Sequence, residues 1–75
     1  MICSKEIKFE LNLPDALPII VIAVRVKTSL SDWLHWRVVE ASTGQPVSRY
    51  LLSSEQKELI DNEVWKRLED WKGAQ

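Results

Sequence analysis

The residues with the greatest potential for chemistry lie close together in one short segment. Ser31, Asp32 and His35 are the residue types of a hydrolytic triad, in which a hydroxyl attacks and an imidazole accepts its proton. Their spacing matches no recognised motif, and on an extended segment Asp32 and His35 would tend toward opposite faces. No glycine-rich turn supplies backbone donors for an oxyanion or a phosphate. The sequence therefore predicts no catalytic residue and no enzyme.

Metal binding has equally little support. The chain has one cysteine, Cys3, and one histidine, His35, which are far apart in the sequence. A structural zinc site needs about four cysteine, histidine or carboxylate ligands. The acidic residues of the C-terminal segment are interleaved with lysine and arginine, which is typical of a solvated helix face. We expect no metal site and no cofactor.

Size and composition limit the class of protein. The 75 residues suffice for one domain, expected to cover residues 1–75. A chain this short buries only about 60% of the surface that it exposes when unfolded. Hydrophobic residues make up 45% of the chain and charged residues 28%, which favours an ordered globular protein over a disordered one. The net charge of −1 argues against a dedicated nucleic-acid-binding domain.

Cysteine usage and apolar runs suggest a location. A single cysteine cannot form an intramolecular disulfide, and a small chain without such a cross-link favours a reducing, intracellular setting. The N-terminal MICSKEIKFE lacks the apolar run and cleavage site of a signal peptide. The longest apolar run, residues 19–24, is far shorter than the roughly 18 residues of a membrane span. We therefore expect a cytoplasmic protein with no membrane partner.

Two segments have the pattern of β-strands. Residues 5–13 alternate apolar and polar side chains, the period of a half-buried strand. Residues 19–28 are dense in β-branched residues and predict a second strand. The even positions of this strand are uniformly apolar: Ile20, Ile22, Val24 and Val26. We expect that set to face the core. The odd positions change from apolar to basic at Arg25 and Lys27. We therefore expect these two side chains on the opposite side of the sheet, away from the core.

A hairpin and a helix complete the predicted fold. Residues 34–39 look extended, and residues 42–45 form a turn containing Gly44. Residues 46–52 return antiparallel, either as an edge strand or as a strand that starts just after Pro46, because proline cannot donate to a ladder. From Ser53 onward the sequence predicts a helix, since Ser53 and Gln56 have capping-box spacing. Its apolar stripe comprises Ile60, Val64, Leu68 and Trp71.

Charge and glycine placement support the same helix. Glu63 and Arg67 are spaced for an i,i+4 ion pair, and Gly73 suits the position just past the helix end. The sequence predicts an α+β domain: a small antiparallel sheet of three to four strands with one C-terminal helix packed on one face.

The segment SDWLHWRVVE divides into two faces if it is a strand. Leu34, Trp36 and Val38 would share the apolar face and pack under the helix. The opposite face carries aromatic, imidazole and guanidinium groups, from Trp33, His35 and Arg37. Together with Arg25 and Lys27 they would form an exposed basic-aromatic patch. Trp65 lies outside the apolar stripe of the helix, and the helix edge there is a further candidate contact.

Such a patch has three interpretations. Trp33 could pack locally over the aliphatic stems of arginine and lysine. The patch could instead bind a protein, because tryptophan and arginine are enriched at binding hot spots. That partner could be a host protein or a second copy of the chain, in a homodimer paired through the sheet face. The alternative is nucleic acid, with bases stacked on Trp33 and phosphates bound by Arg25, Lys27 and Arg37.

The last part of the chain, VVEASTGQPVSRYLLSSEQKELIDNEVWKRLEDW, has a familiar order of elements. A strand, a glycine-containing turn, a short strand and a serine-capped amphipathic helix resemble many small proteins encoded by phages and prophages. The resemblance covers about the last 40 residues. It implies a protein that binds and blocks a host protein, as anti-CRISPR proteins and inhibitors of host polymerase do. It implies no catalytic residues.

Overall fold

The computed structural model describes residues 2–14, 16–69 and 71. In chain order these form strands β1 (Cys3–Leu11), β2 (Ile19–Lys27), β3 (Asp32–Glu40) and β4 (Pro46–Val47), a 3₁₀ turn (Arg49–Leu51) and helix α1 (Ser54–Leu68). The strands form one antiparallel sheet in the order β1-β2-β3-β4, so that each pairs with the next in sequence. The α+β prediction is confirmed.

Helix α1 covers one side of the sheet, which we call the inner face. In β2 this face carries the odd positions, and Val21 is completely buried there. Trp36 and Val38 of β3 lie on the same side and are buried with the helix stripe of Ile60, Val64 and Leu68. On β1 the inner positions are the partly buried Ile7, Phe9 and Leu11.

The expected orientation of β2 is therefore wrong, because the odd positions face the core and the even positions do not. The reason is the packing across the sheet. Ala23 lies opposite Trp36 in the register, and its small side chain leaves room for the indole beneath the helix. Arg25 fits at the end of this face because α1 ends above it and its Leu68 carbonyl accepts a hydrogen bond.

The start of α1 agrees with the prediction in detail. The hydroxyl of Ser53 accepts from the backbone N–H of Gln56 at 3.1 Å, and the Gln56 side chain accepts from the backbone N–H of Ser53 at 2.9 Å. Arg67 donates to Glu63 at 3.1 Å, as the i,i+4 spacing indicates. The helix ends at Leu68, so the half-buried Trp71 lies beyond it. The predicted role of Gly73 falls outside the described residues.

The second hairpin differs from the prediction after its turn. Gly44 has a φ of 75°, the left-handed conformation that the turn requires of glycine. The returning strand comprises Pro46 and Val47 alone, rather than residues 46–52. Ser48 then ends the extended backbone, because its side chain accepts from the N–H of Tyr50 and caps the 3₁₀ turn.

Candidate functional site

Arg25 belongs to the core and not to an outer surface. It is 8% exposed. Its guanidinium donates to both carboxylate oxygens of Asp32, at 3.1 and 2.8 Å, and to the carbonyl of Leu68 at 2.8 Å. The same group lies 5.1 Å from the centre of the Trp65 ring. The expected position of Arg25 on the side of the sheet away from the helix is wrong, since its donors bind the helix end and the start of β3.

The electrostatics of the Arg25–Asp32 pair keep both groups charged. Hydrogen bonds from Arg25 lower the pKa of Asp32 below its usual value, helped by the positive charges of Arg25 and Lys27. The carboxylate in turn raises the pKa of Arg25. A paired and fully hydrogen-bonded charge is tolerated near a core, whereas an unpaired one is strongly disfavoured. The pair also places a positive charge at the C-terminal end of α1, where the helix dipole favours it.

Lys27 and Trp65 lie on the helix side of the sheet. Lys27 shares the inner face with Arg25, and its ammonium is 6.0 Å from the centre of the Trp71 ring. Trp65 is on α1, is 40% exposed and contacts Arg25. The placement of Lys27 on the side of the sheet away from the helix is therefore wrong. The predicted basic-aromatic patch lacks Arg25 and Lys27, which lie on the inner face.

The opposite side of the sheet, which we call the outer face, does bring Trp33, His35 and Arg37 together. Along its centre runs an aliphatic strip from β2, consisting of Ile20, Ile22, Val24 and Val26. The register sets these residues opposite Val39, Arg37, His35 and Trp33 respectively. On the other side they lie opposite β1, whose outer positions are Glu10, Lys8, Glu6 and Ser4. The outer face is thus an apolar strip whose neighbouring positions on β1 and β3 are mostly polar or charged.

Trp33 is the most exposed apolar group of this face. It is 48% exposed, whereas Trp36 on the inner face is 6% exposed. Within the described ranges, the helical elements leave the outer face uncovered and the aliphatic strip half-buried. A face of this composition can bind the apolar surface of another molecule. The sequence signal for this surface is the unbroken apolar run of even positions in β2, although that run by itself predicts a core face.

A second apolar surface lies at the end of the molecule near the start of α1. A pocket of about 230 Å³ opens there, lined by Leu13, Ala16, Leu17, Ile19, Glu40, Val47, Leu51, Leu52 and Gln56. Leu17 and Leu51 are 67% and 77% exposed, and the neighbouring Tyr50 is 98% exposed. Sequence reasoning missed this surface, because most of its residues come from connecting segments that have no periodic pattern.

The chemistry available to the described residues is limited. They contain no group of three or more histidine, cysteine, aspartate or glutamate side chains that could hold a metal ion. Ser31 hydrogen-bonds Thr28 within its turn, and Asp32 is bound by Arg25, so these two residues are engaged in separate structural contacts. Among the described surfaces, the outer face combines an exposed tryptophan with an uncovered aliphatic strip.

Comparisons with protein-family models, with curated proteins and with solved structures find no match to the chain. In the part of the chain that the structure describes, no helix is both long enough and apolar enough to cross a membrane.

Proposed function

We propose that this protein is a small non-enzymatic binding module that docks a partner protein on its outer face. The finer proposal is an inhibitor of a host or defence protein, comparable to the phage-encoded proteins that its C-terminal half resembles. The observation that carries the proposal is the exposed Trp33 at the end of the aliphatic strip, with Arg37 on the same strand.

The arrangement supports binding for a physical reason. An exposed tryptophan beside aliphatic side chains gains free energy when a partner removes it from water. Interfaces typically have an apolar centre and a polar rim, and the strip between β1 and β3 has that organisation. Tryptophan and arginine are the residue types in which binding energy concentrates.

The charges of the outer face indicate what a partner offers. Among the described residues, Arg37 makes no salt bridge, whereas Arg25 and Arg67 do. Arg37 is exposed and lies opposite Ile22, at the side of the strip. The proposed partner therefore presents an apolar surface to the strip and an acidic group to Arg37, which would set its orientation.

The nucleic-acid alternative has lost part of its basis. It required Arg25 and Lys27 beside Trp33 and Arg37, but the first two lie on the inner face. Glu6 and Glu10 offset the positive charges of Lys8 and Arg37 on the outer face, so this face lacks the excess of positive charge that phosphate binding favours. No specific observation favours this alternative, which becomes an outcome of the test below.

The test compares Trp33→Ala with Tyr50→Ala, which removes a more exposed aromatic residue from the 3₁₀ turn near the end pocket. Proteins captured from the native host by the wild-type chain are identified, purified and titrated by calorimetry. Trp33→Ala should weaken the titrated affinity by roughly 30-fold or more, the cost of a hot-spot residue. Tyr50→Ala should leave it nearly unchanged.

Three outcomes would contradict the proposal. One is a partner that Trp33→Ala binds normally and Tyr50→Ala does not, since binding would then use the end pocket. Another is Trp33→Ala failing to fold by circular dichroism, which would make Trp33 a core residue. The third is a gel shift with nucleic acid that weakens steeply with salt and requires Trp33.

A further inference from the structure

The free edge of β1 is the longest unpaired strand edge among the described residues. β1 is nine residues long and terminates the sheet, so one of its sides has no strand partner. Natural edge strands are usually short or carry a bulge, a proline or charged side chains, because an open edge invites pairing with another chain. β1 does carry charged side chains, but they are of both signs and can therefore be matched by an antiparallel copy. β1 contains no proline, and its register with β2 runs without a bulge over all nine residues.

We propose that β1 pairs with β1 of a second copy of this chain, antiparallel, to form an eight-stranded sheet across a two-fold axis. Full-length pairing places the middle residue, Ile7, on the axis. In that register Glu6 of each copy lies opposite Lys8 of the other. Both side chains are exposed on the outer face, so the dimer gains two pairs of opposite charge.

Alternative registers are less favourable by the same rule. An axis through Glu6 brings two Glu6 side chains together, and an axis through Lys8 brings two lysines together, both of which are repulsive. An axis through Phe9 pairs Lys8 with Glu10, but it leaves a ladder of only residues 7–11. The register centred on Ile7 therefore combines the longest ladder with complementary charges.

The backbone and the helices are compatible with this dimer. A nine-residue antiparallel ladder adds about eight to ten main-chain hydrogen bonds. Helix α1 lies over β2, so two helices would be separated by three strand spacings, about 14 Å. That distance exceeds the 8–10 Å of closely packed helices, so the two copies of α1 do not collide. The inference does not rest on the outer face binding a partner.

Substitutions that reverse the charge of one β1 residue test the proposed pairing of β1 with β1 of a second copy. Glu6→Lys and Lys8→Glu each convert both proposed pairs into like-charge pairs, so each should weaken dimerisation by about tenfold or more. Glu10→Lys is the matched control, because it makes the same change on the same face but lies opposite Ser4 of the other copy. Sedimentation measures the dimerisation constant, and circular dichroism confirms that each variant is folded.

Mixing the two variants gives the decisive measurement. A chain with Glu6→Lys and a chain with Lys8→Glu restore opposite charges at both positions, so the mixture should form heterodimers although each variant alone is mainly monomeric. A wild-type chain that remains monomeric at high micromolar concentration would overturn the proposal. So would Glu10→Lys weakening the dimer as much as Glu6→Lys, or a dimer lost with Trp33→Ala, which would place the contact on the sheet face.

Discussion

The guanidinium of Arg25 connects three elements. It binds Asp32 at the start of β3, donates to the carbonyl of Leu68 at the end of α1 and lies against the ring of Trp65. Each of these contacts either satisfies an N–H donor of the guanidinium or stacks its planar group on a ring. A lysine at this position could not reproduce them with the same geometry. Arg25 is therefore a structural residue that fastens the helix end to the sheet.

This pairing predicts a dependence of stability on pH. The pKa of Asp32 is lower in the folded protein than the ordinary value of about 3.9 that it has when unfolded. Its contribution is therefore complete above about pH 4 and is lost as the pH falls through the folded pKa. Asp32→Asn should lower the free energy of unfolding at neutral pH and reduce its decline in acid, as measured by urea unfolding across the acidic range.

The partner residue supplies the control for that experiment. Arg25→Gln removes the same interaction from the other side, so its acid decline should be reduced in the same way. If Asp32→Asn and the wild-type chain lost stability in parallel as the pH fell, Asp32 would not carry the proposed share of the acid sensitivity.

At the level of elements, α1 depends on the capping box at its start. It is the one helix that covers the inner face in the described part of the chain, so its fraying would expose Ile60 and Val64. Ser53→Ala removes the hydroxyl that accepts from Gln56 and should lower the free energy of unfolding by about 1 kcal/mol. Ser54→Ala, the same change one residue later, should alter it by less than about 0.5 kcal/mol. Equal losses in urea unfolding would argue against the cap.

On the side of β3 that faces away from β2, a side chain takes the place of a strand partner once β4 ends. Beyond Val47 the chain leaves the sheet, and Arg49 donates to the backbone carbonyl of Trp36. Its guanidinium also lies 4.1 Å from the centre of the Trp36 ring. Arg49 thus satisfies a carbonyl that a longer β4 would have paired. It also covers the indole ring of Trp36.

At the level of the whole molecule, stability depends on a single small core. Domains of this size have on the order of 5–10 kcal/mol of stability, so one large cavity is a substantial loss. Trp36 is 6% exposed, and its indole N–H donates to Asp61 at 3.4 Å. Trp36→Ala should lower the free energy of unfolding by about 3–5 kcal/mol in urea or thermal unfolding.

Trp33→Ala is the matched substitution on the other face of the same strand. Because Trp33 is 48% exposed, its removal should cost clearly less than that of Trp36. Equal losses for the two variants would show that both faces of β3 are buried, which is incompatible with the outer face as a binding surface.

Much of the fold could be predicted because the signals are local. The capping box, the stripe of Ile60, Val64 and Leu68, the alternation of β3 and the glycine turn each depend on residues near one another in sequence. The return strand after Pro46 could not be predicted beyond two residues, because Ser48 and Arg49 compete for backbone groups through contacts that periodicity does not reveal.

The candidate site was predicted in part for the same reason. Alternation alone separates Trp33, His35 and Arg37 from Trp36, and that separation holds in the structure. In β2, however, both faces carry aliphatic residues, so a period of two cannot say which face the helix covers. That choice is made by distant partners: Ala23 accommodates Trp36, and Arg25 requires the carbonyl of Leu68. The local pattern thus determined the elements and, within each strand, which residues share a face. The tertiary contacts decided which face of β2 became the core, because only packing distinguishes two apolar faces.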